Sequence, residues 1–243
     1  SNLNVYGYDK DHNKIKDLRN CVSYISTIKN KQLDYFKNNP NKIFSNVEKM
    51  RDIDVVIICL PTPLKKNDTP DMSFIYNFFN LFKTYILDKK VIILESTVYP
   101  GACDDIIKKF RLSEKLSQNK LSFIYSPERE DPGNNSFSYK HTPKIVSGYN
   151  KVSLNIGKKI YSKFVKKIAL ANSIKIAETS KLLENIFRSV NIGMINEFKM
   201  ICDRMGISIY DVIDVASTKN FGFMKFLPGP GLGGHCIPID PFY

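Results

Sequence analysis

No apolar run in the 243 residues approaches the ~20 that a helix needs to cross a bilayer, which argues against a helical membrane protein. The opening residues, SNLNVYGYDK, lack the basic and then apolar build of a secretory signal. Cysteine is sparse and odd in number: Cys21, Cys59, Cys103, Cys202 and Cys236. None forms a CxxC pair, and no Cys/His set has zinc-site spacing. The three histidines, His12, His141 and His235, are scattered, so no metal centre is expected. Free thiols in a reducing cytoplasm are the consistent reading. Also missing is a GxGxxG turn after a first strand, the element that holds a dinucleotide pyrophosphate on a helix N-terminus.

What is present is a basic chain, with net charge +12 and pI about 9.3. Such a balance favours anionic partners. The lysines are mixed with asparagine throughout, however, and no arginine cluster or basic helix face stands out, so nucleic acid is not an expected partner. Hydrophobic residues make up 43% of the sequence, sufficient for a packed core.

Short apolar segments alternate with helical ones. LNVYGYDKD is a short apolar run ending in acid, followed by a polar helix from about Asp11 to Asn20. DIDVVIICLPTP holds an apolar strand, Val55 to Leu60, stopped by prolines; a strand of this kind is buried on both faces. The helical MSFIYNFFNLFKTYI, the strand in KKVIILESTVYPG, the strand in LSFIYSPERE and the short strand PKIVSG follow. This rhythm predicts an α/β protein with a Rossmann-type doubly wound parallel sheet that lacks its first βα unit. The pattern changes after residue 172. From about Ser173 to Met205 there is no proline, and Leu183, Phe187, Val190, Met194, Phe198, Ile201 and Met205 recur at steps of three or four. That predicts one long helix of roughly thirty residues, ~45 Å, then a second from about Ile209 to Ala216 and a glycine-rich loop. The expected division is residues 1–172 as a nucleotide-binding domain and 173–243 as a long-helix, dimerisation and loop region. The apolar stripe from Phe187 to Phe198 is expected to be buried against another helix, of this chain or of a partner.

In open α/β sheets ligands bind at the carboxyl ends of strands. Those ends carry Asp9, then Pro61-Thr62-Pro63, then Glu95-Ser96-Thr97, then Ser126-Pro127-Glu128-Arg129. An acid at Asp9 suits a ribose diol and disfavours a 2′-phosphate, favouring NAD over NADP; alternatively Asp9 is only a turn residue. On the long helix Lys181 and Asn185 lie four apart on one face. They are either donors for an oxyanion or a solvated lysine beside an ordinary polar residue. Cys236 is the sharpest candidate. A lone cysteine is usually buried filler, but PGPGLGGHCIPIDPFY offers little side-chain mass to bury it. Its glycines would expose N–H groups to phosphate, and Asp240, four residues on, could serve as a base or hold a water. Cys103 has a weaker claim, and Cys59 is expected in the core.

Five segments in order, CLPTPL, ESTVYPGA, YSPEREDPGN, KLLENIFRSVNIGMINE and GPGLGGHCIPIDPFY, resemble the UDP-glucose/GDP-mannose dehydrogenase family across nearly the whole chain. The SPEREDPGN form is similar to the branch acting on UDP-N-acetylhexosamines, UDP-N-acetylglucosamine above all. The UDP-glucose branch has a second glutamate where this chain has Pro132, and a lysine where it has Ile239. The resemblance implies oxidation of a sugar C6 alcohol to a carboxylate with two NAD⁺. It implies Cys236 as the nucleophile that captures the aldehyde, and Lys181 and Asn185 steadying the C6 oxygen. Asp240 and Thr97 would position water or relay a proton, and Glu128 would assist hydrolysis. Asp9 and Lys14 would face the adenosine ribose, with Pro61, Thr62 and Thr97 along the cofactor. Pro228, Gly229, Gly231, Leu232 and Gly233 would wrap the UDP, and Arg129 would meet the substrate. It further implies a homodimer through the long helix, no membrane partner, and an internal piece of a longer protein with a second, UDP-covering domain. Other readings are oxidation of UDP-N-acetylmannosamine or UDP-N-acetylgalactosamine, and an inactive dimerisation or nucleotide-binding fragment.

Overall fold

The computed structural model describes residues 3–25, 28–86, 90–129, 141–234 and 237–243. A short strand, β1 (Gly7–Tyr8), runs parallel to β2 (Ile43–Phe44). Between them α1 (His12–Arg19) starts where the Asp11 carboxylate accepts the N–H groups of Asn13 and Lys14, a side-chain cap for otherwise unpaired donors, and α2 (Asp34–Asn38) follows. The main sheet has five strands in the order β3 (Val55–Ile58), β4 (Val91–Leu94), β5 (Ser122–Tyr125), β6 (Lys144–Gly148) and β7 (Ile168–Leu170). The helices α3 (Ser73–Ile86), α4 (Ala102–Lys109), α5 (Ser113–Ser117) and α6 (Lys151–Tyr161) connect or flank these strands.

Period-two alternation explains how the sheet is covered. Ile92 and Leu94 of β4 turn toward one face, where Ile75, Phe79 and Phe82 of α3 and Ala102, Cys103 and Ile106 of α4 pack. Ile93 between them turns to the other face, with Ile124, Val146 and Tyr161. Gly157 lets α6 lie close on that second face, since a Cβ there would stand 2.9 Å from Val146 Cγ1. The ring of Tyr8 meets the ring of Phe82 edge-on at 5.0 Å, so β1 shares the α3 core with the main sheet.

Three expectations require correction. The sheet is not wholly parallel: β3, β4 and β5 are, but β6 runs antiparallel to β5, and the unforeseen β7 is parallel to β6. β3 is not buried on both faces either. It pairs only with β4 among the described residues, and Ile57 is 46% exposed at that edge. Cys59, expected in the core, lies just past the end of β3 and is exposed.

The long helix α7 spans Ile174–Met205, 32 residues, or about 48 Å at 1.5 Å per residue. Ser173 caps its start and Gly206, in a left-handed conformation, ends it. The helix α8 (Ile209–Ala216) packs back on its far end through Ile195, Cys202, Ile209 and Ile213. The face of α7 turned toward the sheet carries Glu178, Leu182, Asn185 and Ser189. Its apolar stripe faces away: Phe187 is 47% exposed and Phe198 45%. Among the described residues no helix buries the stripe, although Phe226 approaches Phe187 at 6.2 Å between ring centres.

Candidate active site

On the inward face of α7, Glu178 and Asn185 have fixed hydrogen-bond partners. Glu178, wholly buried, accepts the N–H of Gly101 at 2.6 Å and that of Cys103 at 2.9 Å. Gly101, at φ +97°, begins α4 without a side-chain cap of its own, and Glu178 supplies the missing acceptor from another helix. Burial raises the Glu178 carboxyl above its ordinary pKa, and the backbone and thiol hydrogen bonds work against that rise.

Two turns further along α7, Asn185 Nδ2 donates to Asp240 Oδ2. Asp240 is 3% exposed and stands at the start of a tight turn, Asp240–Phe242. Burial raises its pKa, opposed by the Asn185 hydrogen bond and by the Lys181 charge. The Tyr243 hydroxyl donates to the carbonyl of Thr62. Thr62 Oγ1 in turn donates to the Thr97 carbonyl at 2.7 Å, and Ser96 Oγ to the Leu60 carbonyl at 2.7 Å. The loops after β3 and β4, the inner face of α7 and the terminal turn are thus tied together. Lys181, Asn185, Asp240, Thr62 and Thr97 belong to this one assembly.

Beyond the end of β5 a second group forms. The Arg129 guanidinium grips Glu184 of α7 through Nε at 3.1 Å and Nη2 at 2.6 Å, and donates to the Pro143 carbonyl at 2.7 Å. The bidentate pair ties the sheet to α7 and occupies the fork that the sequence assigned to substrate. Glu128 accepts the Arg129 N–H at 2.8 Å on one oxygen and Lys144 Nζ at 2.8 Å on the other. Lys144 also pairs with Glu95 at 3.2 Å, and the Tyr161 hydroxyl donates to Glu95. Cys59 Sγ lies 3.7 Å from Glu95; although the residue as a whole is exposed, enclosure of its sulfur by neighbouring groups, followed by that carboxylate, pushes the thiol pKa up to about 12.

The two oxygens of Asp9 take the Asp11 N–H at 2.9 Å and Lys14 Nζ at 3.7 Å. Both side chains remain open to solvent. Pro61 is exposed beside Thr62. In the glycine-rich loop, the Gly229 N–H donates to Asn196 Oδ1 of α7 at 2.9 Å. Gly229, Gly231 and Gly233 are exposed, and Pro228 and Leu232 partly buried. Cys236 lies outside the described residues. Sequence reasoning missed Lys144, Tyr161, Glu178, Glu184 and Tyr243. Glu178 and Glu184 had a signal, since each stands three residues from Lys181 on a helix. No described helix is long and apolar enough to cross a membrane.

Residues 1–165 match the NAD binding domain of the UDP-glucose/GDP-mannose dehydrogenase family, and residues 175–243 match its central domain. The chain is 34% identical to UDP-N-acetyl-D-mannosamine dehydrogenase of Methanocaldococcus jannaschii, over 99% of this chain and 56% of that protein. It is 32% identical to UDP-N-acetyl-D-glucosamine 6-dehydrogenase of Pseudomonas aeruginosa, over 98% of this chain and 56% of that one. The solved structure of the UDP-D-ManNAc dehydrogenase of Pyrococcus horikoshii superimposes with a TM-score of 0.88 at 31% identity, covering 99% of this chain and 58% of the other. The chain thus spans a little over half the length of the curated relatives it matches. With the Rossmann-like sheet, the paired polar face of α7 and both domain matches in agreement, the chain belongs to the UDP-glucose/GDP-mannose dehydrogenase family and carries that family's NAD binding domain.

Proposed function

We propose that the protein oxidises the C6 alcohol of UDP-N-acetylglucosamine to the uronate, with residues 1–172 as the cofactor part and 173–243 as the helical and catalytic-loop part. The observation that carries this reading is the buried Asn185–Asp240 hydrogen bond beside Lys181, tied through Tyr243 and Thr62 to the Thr97 loop. It gathers donors for an oxyanion and a carboxylate for proton transfer where the family motifs converge.

Two NAD⁺, bound one after the other, would each accept one hydride. Asp9 and Lys14 address the cofactor's ribose, and Pro61, Thr62 and Thr97 line its path. Lys181 and Asn185 hold the C6 oxygen as charge develops on it. The alcohol loses a hydride and a proton and becomes an aldehyde. The Cys236 thiolate adds to that carbon, and the resulting thiohemiacetal keeps the aldehyde from escaping. Loss of the second hydride gives a thioester. Water then adds to the carbonyl carbon, the C–S bond breaks, and uronate and thiolate separate. Asp240 and Thr97 place the water or relay its proton, and Glu128 assists. The balance is one alcohol, two NAD⁺ and one water giving one carboxylate, two NADH and three protons. Pro228, Gly229, Gly231, Leu232 and Gly233 wrap the UDP part. Arg129, its fork on Glu184, serves the substrate by fixing α7 to the sheet.

The outward stripe of α7 supports a homodimer through that helix, because so long a row of exposed apolar side chains suits a protein surface better than water. The working compartment is the cytoplasm. UDP-N-acetylmannosamine is a second substrate reading, favoured by the names of the two archaeal relatives. NADH formation by the intact protein with UDP-N-acetylglucosamine, UDP-N-acetylmannosamine, UDP-N-acetylgalactosamine and UDP-glucose separates the readings. Cys236→Ala should lose turnover while UDP-sugar binding by calorimetry persists; normal turnover by that variant would sink the mechanism.

A further inference from the structure

Lys144 is 3% exposed, a rare position for an ammonium, and a buried charge of this kind is tolerated only when paired. It stands between two carboxylates from different strand ends, Glu128 at 2.8 Å and Glu95 at 3.2 Å. Glu95 takes donors from three elements: Lys144 of β6, the Tyr161 hydroxyl of α6, and the Cys59 thiol just beyond β3. It is a fixed anchor behind the ammonium, with its side chain 12% exposed. Glu128 differs. Its side chain is 39% exposed, so it alone of the two carboxylates opens toward solvent. One of its oxygens accepts from Lys144 and the other from the Arg129 N–H. The Lys144 ammonium also lies 5.4 Å from the centre of the Tyr161 ring, a third fixed contact.

We propose that Lys144 is a positioning residue that acts through Glu128, holding that carboxylate in one orientation toward the water that hydrolyses the thioester. The inference rests on the reading of Glu128 as an aid to hydrolysis. In that step the water's oxygen bonds to the thioester carbon, its proton passes toward Glu128, and the Cys236 thiolate leaves. Without Lys144 the Glu128 carboxylate would lose the contact that fixes it between Arg129 and Glu95 and would turn away. The two hydride losses precede hydrolysis and do not involve Glu128.

The test is rapid-mixing absorbance of NADH in the intact protein with its UDP-sugar, comparing wild type, Lys144→Met, Glu128→Gln and the double variant. Lys144→Met should give the first burst of NADH at a rate within about twofold of wild type, then a steady rate tenfold or more slower. KM for both substrates should stay within about twofold. Acid-quenched Lys144→Met should carry the sugar acyl group on Cys236 by mass spectrometry. In the Glu128→Gln background, Lys144→Met should add less than a twofold effect. Lys144→Arg, which keeps the charge, should recover part of the steady rate, and it stands in if the methionine variant does not fold. An equal slowing of burst and steady rate would overturn the proposal, because loosened structure does not single out one step. So would multiplicative effects of the two substitutions. Absence of NADH from wild type with every UDP-sugar would instead overturn the functional reading.

Discussion

Replacing Glu178 with alanine should destabilise the protein by about 3–6 kcal/mol. The carboxylate is wholly buried and accepts two backbone N–H groups, Gly101 at 2.6 Å and Cys103 at 2.9 Å. Hydrogen bonds to charged groups contribute about 1.5–3 kcal/mol each, and here truncation strands two donors at a helix start with no other cap. Against a typical total of about 5–15 kcal/mol, the loss is large. Urea unfolding followed by circular dichroism measures it. Glutamine at 178 separates charge from shape. Burial raises the Glu178 pKa in the folded state, so a proton is held more tightly folded than unfolded. Its contribution is therefore fullest below the unfolded value of about 4.3 and declines as pH rises through the folded value. Wild type should accordingly lose stability relative to Glu178→Gln as pH rises through that interval. An alanine variant within about 1 kcal/mol of wild type would show that water or a rearranged loop satisfies the two amides, and the account of α4's start would fall.

Asn185→Leu should move the acidic limb of the kcat profile to higher pH. Burial already raises the Asp240 pKa, and the lost hydrogen bond is one of the two influences that restrain it; an unmoved limb would show that Asp240 does not govern the rate. Phe198→Asp should shift the protein toward monomer in sedimentation at micromolar concentration while leaving the circular dichroism spectrum intact. An unchanged sedimentation coefficient would place any self-association elsewhere than on the outward stripe of α7.

The elements were legible in the sequence where one-dimensional periodicity suffices. β4 and β5 stand out as short apolar runs before polar turns, and α7 as a proline-free stretch with helical spacing. Which face of α7 turns inward was not legible. Spacing marks an apolar stripe, and burial by apolarity would turn that stripe toward the sheet. Glu178 and Asn185 reverse the choice, because partners on α4 and the terminal turn meet their polar groups. The direction of β6 was hidden for a related reason: a short apolar strand has the same composition in either direction. Asn185, Lys181 and Asp240 could be nominated from motifs. Lys144 could not, since a lysine before IVSG looks like any of the many solvated lysines until Glu95 and Glu128 are seen on either side of it.

The hydrogen bond from Tyr243 to Thr62 closes a span of 181 residues, the Arg129–Glu184 pair a span of 55, and the Glu178 contacts spans of 75 and 77. Each closure costs chain entropy that grows with the length of the loop. The cost of each closure falls once the sheet and helices have shortened the effective loop. Contacts this distant in sequence therefore depend on the elements that carry them being in place. A destabilising change deep in the sheet would be felt at this assembly before the strands themselves come apart.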